Sequence, residues 1–213
     1  MGNTVAGRRN SVLSKESSLS EAFPPGLGGK TSRQNTLVET AEEAAAAQGP
    51  LPPALSDHQM ELLTKTWKLL EDDIAKVGVI TFISLFETHP DVQQVFMPFN
   101  GIELEDLKHS KQLRAHALRV MAFVQKAVAR LHEPEKLDQL LKELGKKHYG
   151  YKAKAKYVDL VGPQFIQAIQ PSLQNEWSPE VADAWKLLFC HISYIMKGSM
   201  AEAAAEDAAK NKQ

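Results

Sequence analysis

The chain has 213 residues, with 25 Lys and Arg against 26 Asp and Glu, three Trp and a single Cys. That length admits one domain with appendages or two small ones, a formal charge of −1 gives no reason to expect a nucleic-acid partner, and one Cys excludes an intrachain disulfide or a cysteine metal cage, as in a reducing compartment. Apolar runs are short and broken by charge, so no bilayer-spanning helix is expected, and Arg8 and Arg9 lead into polar residues rather than the apolar stretch of a secretory signal.

Composition shifts near residue 55. The stretch before it holds one aromatic (Phe23), Pro- and Gly-rich clusters and many Ser. It cannot bury enough apolar surface to offset its ordering entropy, so residues 1–53 are expected to be a disordered extension. An all-α domain is expected over 54–204, with a short tail at 205–213. Ser56 and Gln59 make a capping box ahead of Met60, Leu63, Trp67 and Leu70 on one face. Ile74 to Phe86 is apolar on more than one face and ends before Pro90, because the residue preceding a proline is driven out of helical geometry. A turn at 91–96 and a loop through Gly101 lead to a long helix predicted over 106–131, striped by Leu113, Ala117, Val120, Val124, Ala127, Val128 and Leu131. Pro134 opens the next helix, faced by Leu137, Leu140, Leu141 and Leu144. A penultimate helix is predicted over 152–170, kinked at Pro163 and stopped by Pro171, and the last starts at Ser178-Pro179-Glu180.

Two of the seven histidines stand apart. His116 lies inside its helix's apolar stripe, three after Leu113, and His148 extends the next helix's stripe, four after Leu144. Either alone reads as a core residue satisfied by a backbone carbonyl. Two neutral imidazoles facing one dry interior from consecutive antiparallel helices call for a shared metal. Zinc needs four ligands, and no third and fourth lie at ligand spacing. Haem iron takes four from its macrocycle, so two axial histidines suffice.

At this point the chain resembles a globin, with neuroglobin and globin X as the nearest types. The matching residues, in order, are Trp67, then Leu85-Phe86-Glu87-Thr88-His89-Pro90, then Phe96 six after Pro90, His116 with Val120, and Leu144-Gly145-Lys146-Lys147-His148, the histidines 32 apart. The resemblance covers about 54–204. It implies the globin fold, a three-over-three helical sandwich, and haem b (iron protoporphyrin IX). It makes His148 the proximal ligand, its other nitrogen bonded to the Leu144 carbonyl, and His116 the distal residue. Phe96 would stack on the porphyrin, Phe82 close the distal side, Val120 press beside the ligand and Arg119 meet a propionate. It implies binding of O2, NO and CO at bis-histidine iron, with a reductase or electron-transfer partner. A five-coordinate oxygen store or carrier, a redox enzyme acting on nitrite or ferric partners, and a haem-free all-α adaptor stand as alternatives. Trp67, Trp177 and Trp185 read as packing anchors.

Met1-Gly2-Asn3-Thr4-Val5-Ala6 resembles an N-myristoylation start, departing from it at Ala6, where Ser or Thr is preferred. A single acyl chain holds a membrane only marginally. Arg8, Arg9, Lys15, Lys30 and Arg33 outnumber Glu16 and Glu21, and each well-placed cation adds about 1 kcal/mol of attraction to an anionic inner leaflet. Arg8-Arg9-Asn10-Ser11 has the form that basophilic kinases phosphorylate, at Ser11. The expectation is a cytoplasmic, ligand-binding rather than enzymatic protein, lipid-anchored at the membrane periphery.

Overall fold

Ser56 starts the first helix as its spacing to Gln59 predicts. Its hydroxyl accepts from the Gln59 amide at 3.2 Å, while the Gln59 side-chain oxygen accepts from the Ser56 amide at 3.0 Å. Two amides that a helix start leaves without partners are thereby satisfied. The computed structural model describes residues 49–210; 1–48 and 211–213, and with them Gly2, Ser11 and the Arg8-Arg9 pair, lie outside the described residues. Described in chain order are α1 (Asp57–Leu70), α2 (Ile74–Thr88), α3 (Pro90–Val95), α4 (Leu104–Lys108), α5 (Lys111–Val128), α6 (Pro134–Gly150), a 3-10 segment (Ala155–Leu160), α7 (Val161–Leu173), a 3-10 turn (Gln174–Glu176) and α8 (Pro179–Lys210). No strand occurs among the described residues, so this part of the chain is all-α.

Packing follows the apolar faces. α1, α5 and α6 make one layer and α2, α7 and α8 the other, with α2 packed on α5, α6 along α8, and α1 across α7 and α8. Leu63, Trp67 and Leu70 of α1 are buried, as are Leu113, Ala117, Val124, Ala127 and Val128 of α5. Each such large apolar side chain contributes roughly 1.5–3 kcal/mol when taken fully out of water. Trp67 and Trp185 meet between α1 and α8 with ring centroids 6.3 Å apart, and the Trp185 indole N–H donates to the Thr66 hydroxyl at 3.1 Å. These two tryptophans are packing anchors, whereas Trp177 is only half-buried.

Three expectations need correction. The segment 91–96 is mostly helix, opened by Pro90 at its first position. The long helix predicted over 106–131 is broken: α4 ends at Lys108, and Ser110, extended at φ −68° and ψ 121°, caps a new start by accepting from the Leu113 amide at 3.3 Å. Leu131 then lies past the helix end, in a turn, although it is buried. The segment predicted as helix over 152–170 begins instead with Lys152 at φ 62° and a 3-10 stretch, so α7 starts only at Val161. Pro163 therefore sits in the first turn, where its missing N–H has no partner to lose and no kink follows. Pro171 lies inside the last turn of α7, which continues to Leu173. The final helix runs through Lys210, and its last buried residue is Ala204.

Candidate functional site

The predicted site residues fall in two groups, one around His148 on α6 and one around His116 on α5. On α6, the run Leu140, Leu141 and Leu144 places His148 at the end of the apolar face, with Leu140 and Leu141 buried and Leu144 half-buried. The His148 Nδ1–H donates to the Leu144 carbonyl oxygen one turn back, at 2.9 Å. A carbonyl only accepts, so the proton is fixed on Nδ1 and the Nε2 lone pair is left for a metal. Burial pushes the imidazolium below its ordinary range, opposed more weakly by the Leu144 bond. The ring is thus held neutral, the state a ligand to iron requires. Tyr151 stands edge-on to it, ring centroids 6.2 Å apart.

The second group surrounds His116 on α5, which is 8% exposed. Phe82 from α2 lies 4.8 Å away and Phe96 from the end of α3 lies 5.0 Å away, both edge-on to the imidazole. Val120, one turn on, is half-buried against the same apolar cluster. Arg119 is exposed on α5, beside Val120 in sequence. The structure thus brings Phe82, Phe96, His116 and Val120 together, and it pairs His148 with Leu144 separately on α6.

Phe99 belongs to the His116 group and was not foreseen. It is 1% exposed, stacks on Phe96 at 5.2 Å and 10°, and stands 6.2 Å from the His116 ring. The signal in the sequence was the three-residue interval from Phe96, which has no facing until the backbone is known. Gln93 supplies that backbone, its side-chain amide donating to the carbonyls of Phe99 at 2.9 Å and Ile102 at 2.7 Å, which folds the loop back over α3.

This donor set limits what can bind. Among the described residues, no group of three or more His, Cys, Asp or Glu could hold a bare metal ion. A neutral imidazole with a fixed tautomer, a second buried imidazole, and walls of phenyl and aliphatic carbon fit a metal that brings most of its own ligands inside a flat apolar ring. That combination defines a haem protein.

The comparisons agree. The globin family model matches residues 80–196, more than half of the chain and a span holding both histidines. Cytoglobin-2 of Danio rerio is 29% identical over 163 residues, covering 76% of this chain and 90% of that protein. Cytoglobin-2 of Oryzias latipes is 29% identical over 150 residues, covering 70% and 84%. Among solved structures, the hexacoordinated heme protein from an anhydrobiotic tardigrade superimposes with a TM-score of 0.62 at 20% identity, covering 71% of this chain and 96% of that one. Hemoglobin from the botfly Gasterophilus intestinalis gives 0.64 at 19% identity, covering 69% and 99%. Aplysia limacina myoglobin gives 0.61 at 23% identity, covering 68% and 98%. These structural likenesses concern the fold. The chain belongs to the globin family. As a member of that family its cofactor is haem b, and it is a haem protein of the ligand-binding kind.

Proposed function

We propose that this globin binds O2, NO and CO at an iron held at rest by two histidines, His148 on the proximal side and His116 on the distal side, and that it serves a redox or signalling role at a membrane. Haem b supplies an iron that binds diatomic gases and exchanges single electrons. The observation that carries the reading is the 2.9 Å bond from His148 Nδ1 to the Leu144 carbonyl, which presents Nε2 as the ligand. His116 would hold the iron from the distal side and would have to release it for gas to bind, so apparent affinity would be the intrinsic affinity reduced by the open fraction. Phe82, Phe96 and Phe99 limit the rotation of the His116 ring and exclude water from it, and Val120 narrows the space beside it. Arg119, at the exposed side of α5, would meet a haem propionate. The hexacoordinated tardigrade protein is a precedent for this coordination on the same fold.

The membrane role rests on Gly2 acylation assisted by Arg8, Arg9, Lys15, Lys30 and Arg33 against an anionic inner leaflet, with a cytoplasmic domain and a reductase or other electron-transfer partner. The test of the haem site is the ferrous absorption spectrum of the purified protein. Wild type shows low-spin bands, His116→Leu turns them high-spin and speeds CO binding at high CO, and His148→Ala loses most of its haem. Wild type already high-spin means a five-coordinate oxygen store or carrier. Unchanged haem content and spectrum in His148→Ala overturns the proximal assignment.

A further inference from the structure

Three residues before His148, α6 comes against α8 at Gly145. A Cβ built on Gly145 would lie 2.5 Å from the Met196 carbonyl oxygen, 3.1 Å from the Met196 Cα and 2.9 Å from the Ser199 Cβ. Two of those three atoms are backbone, which cannot rotate aside. The contact is therefore closed to any side chain unless the helices separate. It is also fastened: the Ser199 hydroxyl donates to the Lys142 carbonyl of α6 at 2.8 Å, one turn before Gly145, and Ser199 is 2% exposed. Gly145 follows Leu144, the residue whose carbonyl fixes the tautomer of His148. The seat of α6 on α8 and the aim of the imidazole are thus set within one helical turn.

We propose that Gly145 is a positioning residue for the haem: by allowing α6 to touch the α8 backbone, it sets the depth and tilt at which His148 meets the iron. This rests on the proximal role of His148 stated above. The residue acts only through its neighbours and touches neither iron nor gas. Local propensity argues in the opposite direction, since alanine is the better helix former. A change at Gly145 that weakens haem binding is then a packing effect and not a helix effect. Gly150 on the same helix supplies the control, because a Cβ there would meet nothing within 4 Å.

The experiment compares Gly145→Ala, Gly150→Ala and wild type by haem transfer to an excess of a haem-scavenging apoprotein. The iron–imidazole stretching band is then read by resonance Raman for the ferrous proteins in a His116→Leu background, which leaves one protein ligand on the iron. Gly145→Ala should lose haem about tenfold faster and shift the band, as expected when a residue orienting a ligand is disturbed. Gly150→Ala should do neither. Ser199→Val brings bulk to the same contact from α8 and should move both readouts in the same sense, which keeps the test decisive if Gly145→Ala does not fold. A band and a rate unmoved by Gly145→Ala or by Ser199→Val overturn the inference. A band that survives His148→Gly unchanged overturns instead the proximal assignment on which it rests.

Discussion

His148 carries two signals that point the same way: a fixed tautomer, and an imidazolium made costly by burial. Its folded pKa lies below the ordinary 6.5, so the unfolded chain binds the proton more readily than the folded one. The stability owed to the neutral ring is fully present above that value and is lost as pH falls through it. In the haem-free protein, urea midpoints measured at pH 7.5 and 5.5 should therefore differ more for wild type than for His148→Phe; equal differences would show that the ring contributes nothing to acid sensitivity. The position of His148 was readable because leucines at helical spacing on its own helix define the face it shares. Phe99 was unreadable for the converse reason. It lies in a loop shaped by two bonds from the Gln93 side chain, and no periodicity reports such bonds.

Two helix beginnings were legible because a side chain caps its own backbone within three residues. Ser56 with Gln59 and Ser178 with Val181 both do so, the latter with an amide-to-hydroxyl distance of 3.2 Å. The break between α4 and α5 uses the same device at Ser110, but residues 108–112 are all polar, and an apolar stripe that begins only at Leu113 does not register a change of backbone direction before it. Lys152 at φ 62° was hidden too, since no side-chain pattern announces a left-handed lysine. Ser110→Ala should lower stability by about 1 kcal/mol, the usual cost of a lost N-cap, with the absorption spectrum unchanged. Chemical denaturation checks the first part and the ferrous spectrum the second. An unaltered denaturation midpoint would mean that α5 is held by its buried face alone.

Across the whole molecule, the sandwich places the two histidines on helices that pack onto the other layer through different partners, α5 on α2 and α6 along α8. Haem chemistry and the proposed membrane location would then be separate properties, since the basic stretch of 1–35 lies outside the globin match. On the proposed membrane role, phosphate on Ser11 would add about −1.5 to −2 charge beside Arg8 and Arg9, enough to cancel most of the local excess of cations that would assist a single acyl chain. Myristoylated wild-type protein should therefore co-sediment with anionic vesicles at low salt, while Ser11→Asp and Gly2→Ala should partition less, all three with one haem spectrum. Equal partitioning of the three would remove the membrane from the functional reading.

The last helix has a consequence of its own. α8 extends through Lys210, but its buried residues end at Ala204, so one continuous helix passes from the core into solvent. Beyond Ala204 no side chain of the described residues is buried: Asp207, Ala208 and Ala209 are exposed, and the Asp207 side chain bonds Tyr149 of α6. The amides of 205–210 exchange with deuterium by fraying, in step with local opening, whereas amides around Trp185 and Leu188 exchange only when the sandwich opens. Deuterium uptake along this single helix therefore spans the range from no protection to the stability of the entire fold, and any gain in protection on adding haem falls on the part that ends at Ala204.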